Sequence, residues 1–186
     1  MKTRLIRMAL YPVLALLSAC GVTDSKDEAS YYFAVPVNSS IRLNQAVVIQ
    51  GGQVATYVQE GELMSYDEVD KYQPNCKFEI YTMSEQSRTV QPDTFEITKV
   101  VDEIESSSIV KDIHLADASN AYAFGPLDRS YVYNYATMMY LRSEKQKDVY
   151  RMTCQHWEDM LDDRYLTVAQ MRTAMGEVFT LLLKND

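Results

Sequence analysis

Histidine limits the chemistry open to this chain, because a nucleophile–histidine–acid relay needs an imidazole and only His114 and His156 supply one. Neither is framed by a Gly-x-Ser-x-Gly elbow or a reactive-cysteine pattern. His156 precedes Trp157 in an alternating run and reads as a structural or rim residue, and His114, after Asp112, is equally plain. Asp67, Glu68 and Asp70 lie close together but lack the glycine and distal glutamate of a calcium loop, so they read as a solvated acidic turn. Asp159, Asp162 and Asp163 lead toward a C-terminal helix, where negative charge suits the dipole. Among 26 acids, paired carboxylates for glycoside hydrolysis depend on a three-dimensional separation that spacing does not reveal. Gly51-Gly52 stands alone and suits a hairpin, not a phosphate loop. The residues therefore assign no catalytic group, no metal and no cofactor.

Tyrosine is the compositional oddity, with 14 against a single tryptophan. Tyr131, Tyr133 and Tyr135 fall at strand spacing, with Tyr140 nearby, and form a candidate binding face for sugar rings, peptide or a partner strand. Tyrosine offers large contact area and a hydroxyl for hydrogen bonds. The plainer alternative is a core or sheet face of a tyrosine-rich protein.

The amino terminus carries its own chemistry. Lys2, Arg4 and Arg7 precede an apolar run from Met8 to Leu17, broken only by Tyr11 and Pro12. At about 10 residues this run is too short to span a membrane, and it reads as an export signal. Leu17-Ser18-Ala19-Cys20 then resembles the lipobox of bacterial lipoproteins. That resemblance implies a diacylglycerol thioether on Cys20, cleavage after Ala19 and acylation of the new amine. More than one acyl chain is what stable anchoring requires. Gly21 is not the aspartate associated with inner-membrane retention, so the resemblance favours the outer membrane, facing the periplasm.

Removing the signal takes three cations with it, so the net charge moves from −8 to −11. So acidic a surface repels phosphate backbones, which disfavours nucleic acid as a partner. With Cys20 committed to lipid, Cys76 and Cys154 remain, and in an oxidising compartment such a pair usually forms a disulfide. Two buried thiols, or a reactive or metal-binding cysteine, are the other readings. Neither cysteine belongs to a C-x-x-C pair.

The elements that must position these residues follow from hydrophobic period. Val22 to Ser30 is polar and aperiodic, a tether, so residues 20–30 form the lipidated linker and 31–186 a single domain. Ile41, Leu43, Val47 and Ile49 share one parity, the mark of a half-buried strand. Gly51-Gly52 predicts a hairpin into a return strand over Val54 to Met64. Asp67 to Asn75 is turn-rich. Further strands are expected over Cys76 to Met83, over Thr94 to Val101 with Phe95 and Ile97 inward, over Ser130 to Arg142, and over Val149 to Trp157. In the last of these Tyr150, Met152, Cys154 and His156 share a parity. A short strand at Ile109 to Leu115 is also expected. Thr167-Val168-Ala169-Gln170 has the form of a capping box, and Val168, Met171, Met175, Val178 and Leu182 fall at helical spacing, which predicts an amphipathic helix to about Leu183.

The whole reads as mainly β: an antiparallel sandwich or partly open barrel of six or seven strands with one C-terminal helix. Segments such as Tyr72 to Glu79 and Gln91 to Phe95 resemble those of small exported lipoproteins of gammaproteobacteria, a resemblance that implies no activity. The expected function is a non-enzymatic envelope module binding a protein or glycan. A carrier of a small apolar molecule and a hydrolase with a hidden site are the alternatives.

Overall fold

The computed structural model describes residues 27–110, 129–159 and 164–184. Along them run β1 (Ser40–Leu43), β2 (Val47–Ile49), β3 (Ala55–Gln59), β4 (Glu62–Met64), β5 (Asn75–Ile80) and β6 (Arg88–Val90). After these come β7 (Asp93–Val110), β8 (Arg129–Arg142), β9 (Val149–Glu158), α1 (Val168–Met175) and β10 (Phe179–Leu182). Eight strands form one antiparallel sheet in the order β10-β1-β7-β8-β9-β5-β3-β4, and β2 pairs with β6 in a separate ribbon. The sheet curls into a half-barrel, and α1 packs into its open side. This is the mainly β, partly open barrel with a C-terminal helix that the alternation predicts, built from more strands than expected.

The concave face holds the core. Phe78 of β5 lies at its centre, with ring centroids of Phe95 and Phe179 at 6.0 and 5.1 Å. Ile41, Leu43, Ile97, Met139 and Met152 complete the sheet side, while Val168, Met171 and Met175 come down from α1. Burying each such side chain contributes roughly 1.5–3 kcal/mol. Thr167 caps α1 as its sequence indicates: its hydroxyl accepts from the Gln170 amide, and the Gln170 side chain accepts from the Thr167 amide.

Four expectations need correction. The alternating run from Ile41 is two strands, not one, because Asn44 turns aside to donate to Glu177 O and Thr180 Oγ1. Gly51-Gly52 makes a turn but no hairpin: the chain passes from β2 into a different sheet, and Gly51 lies under the Glu85 carbonyl where a Cβ has no room. The return strand folds on itself at Glu60-Gly61, both at positive φ, to give the β3–β4 hairpin. Finally, the helix stops at Met175. Gly176 takes φ +51, and a Cβ there would lie 2.4 Å from the Cα of Gly61. From Phe179 the chain runs as β10 and pairs with β1, satisfying an edge that a longer helix would leave open.

Two boundaries also move. Glu28 is already docked, accepting at its carbonyl from the Ala169 amide and pairing with Arg172 at 2.8 Å, so ordered packing begins inside the expected tether. β7 extends far past Val101, held by its ladder to β8. The strand expected at Ile109 to Leu115 lies outside the described residues beyond Val110.

Candidate binding face

Strand alternation turns half the side chains of β5, β8 and β9 to the convex side. Across that side the register aligns Tyr57, Lys77, Thr153 and Met138 in one row, and Glu79, Arg151, Tyr140 and Lys99 in the next. Glu79 is only 6% exposed. Its carboxylate accepts from Arg151 Nε at 2.5 Å and Thr153 Oγ1 at 3.1 Å, and pairs with Lys77 Nζ at 2.8 Å. Burial pushes its pKa up, but the hydrogen bonds and charges of Arg151 and Lys77 outweigh this and hold it below the ordinary carboxylate value.

Aromatic rings flank this buried network on both sides. A bulge between Glu79 and Ile80 puts Val149 in the core and lets Tyr150 turn outward beside Arg151, so Tyr150 does not share the inward parity of Met152 and Cys154. Tyr81 and Tyr140 pack on Tyr150 at 4.4 and 5.5 Å, and Arg151 and Lys99 lie over these rings. At the other flank Tyr57 meets Tyr66 at 5.6 Å, and Lys71 sits 4.3 Å over Tyr66 and 4.8 Å over Trp157. A cation over an aromatic face holds the ring in place and keeps positive charge at the surface. Tyr57, Tyr66 and Lys77 also line an open cleft of about 890 Å³, together with Val48 and Leu63. Tyr66 and Tyr81 are more than half exposed.

The tyrosines singled out by spacing form a different picture. Tyr131, Tyr133 and Tyr135 do share one side of β8, but that side descends into the core. Tyr131 is 49% exposed, Tyr133 half-buried and Tyr135 fully buried, stacked on His156 at 5.7 Å and edge-on to Tyr165. They make no common exposed platform. Tyr140 lies on the opposite side of the strand and belongs to the convex face. What sequence reasoning missed is the gathering of Tyr57, Tyr66, Tyr81, Tyr150 and Trp157. These sit on separate strands and loops, and only the register brings them together.

Cys76 and Cys154 are joined in a disulfide, both buried in the core. His156 is buried, with Nε2 3.3 Å from Glu158 and Nδ1 without a hydrogen-bond partner among the described residues, and burial lowers its pKa against the opposing pull of Glu158. In the acidic loop, Glu68 accepts from the amide and hydroxyl of Ser65, and Asp70 from the Tyr72 amide, so these carboxylates serve the turn itself. No group of three metal-ligating side chains gathers among the described residues. Cys20, His114, Asp162 and Asp163 lie outside them. The concave side, where an apolar ligand would have to sit, is filled by Phe78, Phe95, Met139, Met152, Met175 and Phe179. Comparison with protein-family models, with curated proteins and with solved structures finds no match for this chain.

Proposed function

We propose that this chain is an outer-membrane lipoprotein, anchored through acyl chains on Cys20, whose β domain is a non-enzymatic module binding another envelope component, protein or glycan. The observation that carries the binding reading is the convex face, where exposed Tyr66 and Tyr81 sit in cation-braced aromatic clusters on either side of the Glu79 network. Rings fixed in this way lose little freedom on contact, which suits recognition of a sugar ring or a partner surface. The Cys76–Cys154 bond supports the exported setting, since disulfides persist in oxidising compartments. Docking of Glu28 on α1 leaves eight residues back to Cys20, a reach of at most about 28 Å, which keeps the domain near the bilayer.

The test is cross-linking in intact cells, followed by recovery of the full mature chain and co-sedimentation with purified peptidoglycan. The expected result is a discrete adduct or sedimentation that falls several-fold in the Tyr66→Ser, Tyr81→Ser double variant. Recovery of neither, or recovery that the double variant leaves unchanged, contradicts the reading.

A further inference from the structure

We propose that the free edge of β7, from Val100 to Ser107, accepts an extended basic segment of a partner protein as an added β-strand. This names a class of partner for the binding module and rests on that reading, but it uses a surface distinct from the aromatic face.

β1 covers β7 only from Asp93 to Glu96, and two more backbone bonds, from Asn38 to Ile97 O and from Ile97 to Ser39 O, close that contact. Past this point β7 continues to Val110 with β8 on one side and, among the described residues, no strand on the other. Every second residue of this stretch therefore turns its N–H and C=O away from β8, toward a side that no strand among the described residues occupies. Natural edges are kept short or are charged, because such a row templates pairing. This one is long, and it is charged with one sign only. Asp102, Glu103 and Glu105 are all exposed, and among the described residues no cation pairs with Glu103 or Glu105.

The charge pattern selects the occupant. A second copy pairing antiparallel about Ile104 would set Glu103 against Glu105, and like charges directly opposite are destabilising. A strand with lysine or arginine at two alternate positions instead meets Glu103 and Glu105, which share one face. The residue between them meets Ile104, which is 37% exposed on the other. The segment that fits is basic–apolar–basic in extended form, bound by the backbone and selected by charge.

The probe is a fluorescein-labelled peptide of sequence Thr-Lys-Val-Lys-Val-Thr, titrated against the full mature chain by fluorescence anisotropy. Saturable binding is expected. It should weaken at least tenfold when the peptide is N-methylated along one edge, and by a similar factor in the Glu103→Lys, Glu105→Lys double variant. The N-methylated peptide needs no variant protein, so its result is independent of folding. Absence of saturable binding overturns the proposal, as does binding that ignores N-methylation, which would be charge attraction alone. So does amide exchange that is already slow at every residue from Val100 to Ser106 before peptide is added, since a second copy or another part of this chain would then hold the edge. None of these outcomes bears on the Tyr66 and Tyr81 face.

Discussion

Cys76 and Cys154 stand directly opposite one another on β5 and β9, in register, with Cα atoms 4.0 Å apart and their sulfurs bonded. The sheet already holds these strands together, so in the chain-entropy account the bond acts mainly on the unfolded chain, closing a loop between residues 78 apart. Replacing both cysteines by alanine is expected to lower stability by about 4 kcal/mol in urea unfolding, with the fold retained. A double variant as stable as the parent would mean that the bond is not formed in the exported protein.

Gly176 and Gly61 meet where the end of α1 crosses the β3–β4 turn, and Gly61 N donates to Ala174 O at 3.0 Å. Gly176→Ala combines a left-handed φ with a Cβ 2.4 Å from backbone, and a loss of about 2–4 kcal/mol is expected. Gly52→Ala is the control: φ is +77, but nothing lies within 4 Å, so about 1 kcal/mol should be lost. Equal melting shifts for the two would deny the close approach.

Glu79 joins Lys77, Arg151 and Thr153 beneath the aromatic face. Its folded pKa is depressed, so the stability it contributes is present above the unfolded carboxylate value and is lost as pH falls through the folded one. Glu79→Gln is expected to cost about 2–3 kcal/mol at neutral pH, less than for a fully buried pair because both cations are partly solvated. It should also flatten the fall in urea midpoint below about pH 4.

His156 is buried against Tyr135, and that burial holds its imidazole below the ordinary pKa despite Glu158. Burial lowers its folded pKa, so the unfolded chain binds the proton more readily, and stability should fall as pH drops below the ordinary value of 6.5. His156→Phe keeps a ring against Tyr135 and removes this slope, which unfolding midpoints measured between about pH 5 and 7 would detect. A slope unchanged by the substitution would place the titration elsewhere.

Half-buried strands were legible because each carries its own record: Ile41 and Leu43, and Phe95 and Ile97, alternate with exposed or half-buried neighbours over a few residues. The cap of α1 was legible for the same local reason. The end of the helix was not, since Val178 suits a helical stripe and a strand entry equally, and what decides is Gly61 more than a hundred residues earlier. The β7 arm past Val101 shows no hydrophobic period because little core lies beside it. The convex face escaped for the deepest reason. Tyr57, Tyr150 and Trp157 come to flank one Glu79 network through strand pairing between distant segments, whereas Tyr131, Tyr133 and Tyr135 are regular along the chain yet sink progressively into the interior.

The most direct measurement is mass spectrometry of the amino-terminal peptide from protein extracted from cell membranes. The account predicts a chain that begins at Cys20 and carries a thioether-linked diacylglycerol and an amide-linked acyl group. A soluble chain that still begins at Met1, with an unmodified Cys20, would contradict it.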